Sequence, residues 1–183
     1  MLPATKRVSV LEFERRPETN RIEELIEGEI CLAPEPTLDH QDVVLNIATA
    51  LREWARRTHA GRVFVAPTGV RLAWDTLLEP DVLFVSAARA DLLRPEAVFG
   101  APDLVVEVLS PGSIRNDRIR KFRLYAQHGV AEYWIADPVA KTVERYDLGP
   151  EGYVLAATLS GEDTVTSPQL PGFALSIPAT FAP

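Results

Sequence analysis

The chain has 183 residues, 46% hydrophobic and 25% charged, with a net charge of −7. That composition suits one domain over 1–183 with its own core, and the acidic balance argues against tight non-specific binding to nucleic acid. No apolar run approaches the roughly 20 residues that span a bilayer, and one cysteine with three scattered histidines excludes both an intrachain disulfide and a four-ligand zinc site.

The first residues lack the apolar core of a signal peptide, so a cytoplasmic, non-membrane protein is expected. Residues 8–16 predict a short helix closed by Pro17, with Ser9 and Glu12 in capping-box spacing. Residues 21–27 and 29–33 flank Gly28 as a hairpin, with Cys31 reading as a small buried hydrophobe. Thr37 or Asp39 caps a long helix to about Thr58. Its apolar positions are Val43, Val44, Ile47, Leu51, Trp54 and Ala55, and Gly61 is its expected stop. Strand-like runs follow at 62–66, 69–74 and 80–85, then one or two helical turns at 87–93.

Residues 103–109 predict a central strand, and 113–128 an amphipathic helix with Ile119, Phe122 and Ala126 on its core side. Residues 131–136 predict a strand, and 142–147 with 153–158 an antiparallel pair. Pro168, Pro171 and Pro178 predict an irregular C-terminal segment. Trp54 and Trp134 read as core. The sum is an α/β (α+β) domain, a mixed β-sheet with a long helix on each face.

Two acids interrupt the strand pattern. Asp81 opens one apolar run, and Glu107 lies between Val106 and Val108 in another. A carboxylate buried there costs several kcal/mol unless it is paired or binds a metal. Period-two alternation puts Asp103, Val105, Glu107 and Leu109 on one face. If the two runs are neighbours, Asp81 and Glu107 form an oxygen-only site suited to Mg2+ or Mn2+. Lys121 is the candidate cation, sharing a helix face with Asp117 and Tyr125. Residues 115–123 carry five basic residues against Asp117, and Arg52, Arg56, Arg57 and Arg62 form a second basic cluster. Both clusters are equally readable as solvated helix faces.

Several segments carry a family resemblance: Glu-Leu-Ile-Glu-Gly-Glu-Ile (24–30), Ala-Pro-Glu-Pro-Thr-Leu-Asp-His-Gln (33–41), Glu-Pro-Asp-Val-Leu-Phe-Val (79–85) and Ala-Pro-Asp-Leu-Val-Val-Glu-Val-Leu-Ser-Pro-Gly-Ser (101–113). Asp117 with Lys121 and Tyr125, Gly-Val-Ala-Glu-Tyr-Trp-Ile-Ala-Asp-Pro (129–138) and Ser-Pro-Gln-Leu-Pro-Gly-Phe (167–173) complete it. In order and spacing the chain resembles the Uma family of candidate restriction endonucleases, within the PD-(D/E)xK nuclease superfamily. The resemblance implies a restriction-endonuclease-like fold, a metal-dependent cut in DNA, Mg2+ or Mn2+ as cofactor, and Asp81 and Glu107 as metal ligands. It departs from the superfamily motif at Leu109, where a lysine is expected, so Lys121 becomes the replacement. It also implies supporting roles for Glu27 or Glu29 in the hairpin and for His40, with Ser110 near the site. Arg115, Arg118 and Arg120 would form the DNA-facing rim, and fold analogy suggests a homodimer or higher oligomer. The same residues also fit a non-catalytic binding or assembly module, or a hydrolase of a smaller phosphoester.

Overall fold

A computed structural model describes residues 7–17 and 19–183. The signal-peptide reading falls largely on residues 1–6, outside that range. Ser9 caps helix α1 (Val10–Glu14) through the reciprocal bonds expected of a capping box with Glu12. Strands β1 (Glu23–Ile26) and β2 (Glu29–Leu32) form the predicted hairpin. Its turn places Glu27 at φ 52° and Gly28 at φ 79°, the two left-handed positions of a type I′ turn.

Helix α2 (Leu38–Thr58) starts at Thr37, whose hydroxyl accepts the His40 amide, and buries the predicted apolar stripe. Its stop differs from expectation. His59, not Gly61, takes the left-handed position, with φ 55°. Gly61 opens strand β3 (Gly61–Val65) and is required there for space, because a Cβ would lie 2.2 Å from the Val85 carbonyl oxygen.

Strands β4 (Val70–Ala73), β5 (Thr76–Leu78) and β6 (Val82–Ser86) follow, then a 3-10 turn over Ala87–Leu92. Next are β7 (Val98–Phe99) and β8 (Leu104–Val108). A π-helical turn over Asn116–Lys121 leads into helix α3 (Phe122–His128). The chain then forms β9 (Glu132–Asp137), β10 (Thr142–Gly149) and β11 (Gly152–Leu159). It closes with β12 (Thr164–Val165), β13 (Leu175–Ser176) and the short helix α4 (Ile177–Thr180).

The fold is mixed α+β, but its strands divide between two main sheets instead of one. The six-stranded sheet has the order β11-β10-β9-β8-β6-β3, with β8 and β9 parallel. The five-stranded sheet, β2-β1-β5-β4-β7, carries the hairpin. Side-chain alternation sorts the larger sheet's residues between two cores. Val82, Phe84, Leu104, Val106 and Val108 meet α2, while Leu83, Val85, Val105 and Leu109 join the cluster containing Leu124 and Tyr125 of α3.

Two expectations are corrected here. The C-terminal segment is not merely irregular: between its prolines, Leu170, Phe173, Leu175 and Ile177 are buried against the α2 side of the core. The Trp54 indole also donates to the Pro171 carbonyl at 3.1 Å. Ile119 is 61% exposed, whereas Asp117 and Lys121 are buried. Proximity of the acids on β1 and β8 turns the polar face of the π-helical turn inward, so its apolar residue faces out.

Candidate active site

Register builds the site. Strands β6 and β8 pair antiparallel with Val82 opposite Val106, and one step further along places Asp81 opposite Glu107. The Asp81 Oδ2 atom accepts the Val108 amide at 2.7 Å, fastening the acid to the strand that carries Glu107. His40 Nε2 lies 3.3 Å from the same oxygen. His40 occupies the first turn of α2, and that position brings it to Asp81.

Glu107 is 2% exposed and projects to the α3 side, as the alternation requires. Its Oε1 accepts Lys121 Nζ at 3.0 Å and the Tyr125 hydroxyl at 2.8 Å. Lys121 also lies 2.9 Å from Glu24 Oε1 and 3.6 Å from Asp117 Oδ1. The π-helical turn and the first turn of α3 thus present Asp117, Lys121 and Tyr125 as one polar buried face. Leu109 sits in the apolar core and leaves the cation's place to Lys121.

Asp81, Glu107, Asp117 and Lys121 share a cavity of about 110 Å³, lined also by Glu24, Glu79, His40, Ser110 and Ser113. Five carboxylates, Glu24, Glu79, Asp81, Glu107 and Asp117, face a single lysine there. Burial pushes the Glu107 carboxyl well above the usual range; Lys121 opposes this and the neighbouring acids reinforce it. Burial likewise raises Asp117 to about 6, against the pull of Lys121. Burial raises Glu79 to about 7, with Glu24 adding to the shift. Burial works against the Lys121 ammonium, but Glu107, Glu24 and Asp117 together outweigh it and hold the group well above the ordinary lysine value.

The donor set fits a hard cation. Asp117 Oδ1, Glu79 Oε2 and His40 Nδ1 are buried without a hydrogen-bond partner, and all three residues line the cavity. Buried polar atoms rarely stay unpaired, and carboxylate oxygens suit magnesium or manganese. Among the described residues, no three His, Cys, Asp or Glu side chains are grouped so as to hold an ion by themselves. Magnesium is commonly bound by one or two carboxylates, with waters and substrate phosphate completing its shell.

Asp81, Glu107, Lys121, His40, Ser110 and Asp117 all line the cavity, and Tyr125 touches Glu107 from beneath. Ser110 is buried, its amide bonded to Ser113 Oγ. The two hairpin acids suggested by resemblance are elsewhere. Glu27, turned outward by the I′ turn, pairs with Arg123, and Glu29 pairs with Arg120 at 2.7 Å. Glu24 takes the place expected of them. Alternation puts Ile22, Glu24 and Ile26 on one strand face, but nothing local marks that face as the one that meets the cavity.

The expected DNA-facing rim is also altered. Arg118 makes a two-pronged pair with Glu144 at 2.7 and 3.2 Å, and Arg120 is committed to Glu29, so both clamp the helix to neighbouring strands. Arg115 is exposed. Cys31 is half-buried instead of fully buried, with Arg120 donating to its Sγ at 3.5 Å. Among the described residues, no helix is long and apolar enough to cross a membrane.

Comparison with known proteins agrees with this architecture. A crystal structure titled a "putative nuclease belonging to DUF820", from Anabaena variabilis, superposes with a TM-score of 0.81 at 23% identity, covering 96% of this chain and 98% of that one. At that identity the likeness establishes the fold. A search of curated proteins finds no match. The family described as "Putative restriction endonuclease", Uma2, matches residues 10–178, a span that takes in both carboxylate strands, the lysine helix and most of the C-terminal cover. The chain belongs to the Uma2 family.

Proposed function

We propose that the protein is a divalent-metal-dependent endonuclease that hydrolyses DNA phosphodiester bonds. The observation that carries this reading is the register of Asp81 opposite Glu107, with Lys121 Nζ 3.0 Å from Glu107, at one cavity. The family description and the nuclease title of the Anabaena relative support it.

Asp81 and Glu107 would hold Mg2+ or Mn2+, which when bound supplies an activated water and offsets charge on the phosphate. Lys121 stays protonated among its three acids. Its 3.6 Å contact to Asp117 is the loosest of the three, so that direction is the one it can exchange for a phosphate oxygen. Tyr125 fixes the orientation of the Glu107 carboxylate, and His40 with the Val108 amide fixes that of Asp81. Cutting both strands of a duplex takes two such sites, so a homodimer is part of the reading.

The test is cleavage of supercoiled plasmid in magnesium or manganese. Glu107→Gln keeps an acceptor for Lys121 and Tyr125 while removing the charge, and should lower cleavage at least ~100-fold. Undiminished cleavage by that variant would remove the assignment. A second reading, a non-catalytic module on the same fold, draws on the lysine already engaging three acids. Calorimetric titration with magnesium separates the two, since the module predicts no binding.

A further inference from the structure

The second basic cluster is not absorbed by the catalytic cavity. The stripe Leu45, Ala48, Thr49, Arg52, Arg56 runs along one side of α2 at i, i+3, i+4, i+7 spacing, and it borders β3. Strand β3 ends the six-stranded sheet, paired on one side only with β6. A groove of about 590 Å³ lies along this edge, between Arg52 and Arg56 on α2 and Arg62 on β3. An adjoining groove of about 530 Å³ continues past Arg62 to Arg94. Arg62 is steadied by its stack over Phe64, 4.8 Å from the ring centroid.

Two features make this more than a solvated face. First, Arg52, Arg56, Arg62 and Arg94 are exposed, and none is ion-paired to a carboxylate among the described residues. Glu96 is the one acid lining either groove. The arginines of the π-helical turn, by contrast, are mostly committed to Glu144 and Glu29. In a chain of net charge −7, this is an unneutralised positive strip. Second, the strip leads to the site. Strand β3 runs from Arg62 towards Ala66, which lines the catalytic cavity, and four residues of strand span about 13 Å.

We infer that the β3 edge, flanked by Arg52 and Arg56 on one side and Arg62 and Arg94 on the other, is the track that holds the phosphodiester backbone and delivers it to the cavity. The inference rests on the nuclease reading for its ligand, but not on catalysis. The arginines supply paired donors to phosphate oxygens, and the open strand edge supplies backbone amides between them. Five acids line the cavity, so an approaching phosphate is repelled unless cation charge is supplied on its path, which such a track provides.

The test is fluorescence anisotropy with a labelled duplex oligonucleotide, in EDTA so that no cleavage intervenes. Arg52→Ala/Arg56→Ala/Arg62→Ala removes exposed side chains and should fold normally, as circular dichroism would verify. Binding should weaken at least ~10-fold, and the slope of log K against log salt should become shallower by about 3. Arg115→Ala/Arg120→Ala should weaken binding far less. Equal loss in that control would reduce the effect to net charge and overturn the track, as would unchanged binding by the triple variant or no binding by the wild type. A changed oligomeric state of the triple variant by light scattering would also overturn it, assigning the edge to a second copy of the chain. Magnesium titration of the same variant should be unchanged. Thus loss of the track with metal binding intact, and failure of the metal site with DNA binding intact, are separate outcomes.

Discussion

Lys121 reaches Glu107 from the helical segment that follows its strand, 14 residues further along the chain, with Nζ 3.0 Å from Oε1. The resemblance read from the sequence sets the expectation of a lysine two residues after the acid, where Leu109 instead fills the core. Both side chains are buried, so their charges depend on each other far more than an exposed pair would.

Replacing Lys121 by Met should therefore do two things. It should abolish plasmid cleavage, and it should leave Glu107, Glu24 and Asp117 as buried acids without a counter-ion. Breaking a buried pair this way costs about 3–5 kcal/mol. The loss in urea denaturation should be largest near pH 8 and much smaller near pH 5.5, where the acids can take up protons. A loss that is independent of pH would show that Lys121 acts by packing alone.

Asp81 has two separable tasks. One is structural, since its Oδ2 accepts the Val108 amide at 2.7 Å; the other is its negative charge in the cavity. Asp81→Asn retains an oxygen for the amide, so stability should change little while magnesium affinity by calorimetry falls ~10-fold or more. Asp81→Ala should additionally cost about 1–3 kcal/mol, because the Val108 amide is left unsatisfied. If Asn and Ala behave alike in denaturation, the amide bond contributes nothing.

The acid cluster also fixes a pH dependence. The folded-state values of Asp117 and Glu79, about 6 and about 7, lie above the ordinary 3.8 and 4.5 because burial disfavours their charged forms. Between those limits the folded protein binds more protons than the unfolded chain. Their contribution is complete below about pH 4 and is lost as pH rises through 6 and then 7. Thermal stability measured without metal should thus decline across that window, and Asp117→Asn should flatten its lower half. Magnesium should restore more stability at pH 8 than at pH 5.5, since protonating the acids that line the cavity removes negative charge that attracts the ion. A metal effect that grows on acidification would contradict the placement of the ion among these acids.

The legible and illegible parts of the sequence divide along physical lines. Period two put Glu107 on the α3 face, and the i, i+4 spacing put Asp117, Lys121 and Tyr125 together, because both follow from backbone geometry alone. Glu24 was hidden by its neighbours. With Glu23, Glu27 and Glu29 close by, nothing local distinguishes the one acid whose strand face meets the cavity. Ile119 misled because amphipathic patterning assumes that the apolar face is the buried one, whereas this segment buries its charges against Glu24 and Glu107. The pairing of Arg118 and Arg120 was equally out of reach, since Glu144 and Glu29 lie on distant strands.

The end of α2 gives a prediction free of the site. Helices commonly close on a left-handed residue, usually glycine, since other residues carry a Cβ that crowds the backbone there. Here His59 holds that conformation at φ 55°, while the nearby glycine, Gly61, is spent on the close approach to Val85. His59→Gly should stabilise the protein by up to about 1 kcal/mol in urea denaturation, as relief of left-handed strain exceeds the added freedom of the unfolded chain. Gly61→Ala should do the opposite. Its methyl would meet the Val85 carbonyl, forcing β3 away from β6 and costing about 1–3 kcal/mol. Because β3 borders the arginine groove, the same variant should also weaken oligonucleotide binding, whereas His59→Gly should leave binding unchanged. Equal stability of Gly61→Ala and wild type would mean that the edge strand can shift freely, contrary to the tight pairing of Arg62 with Val85 and Phe64 with Leu83.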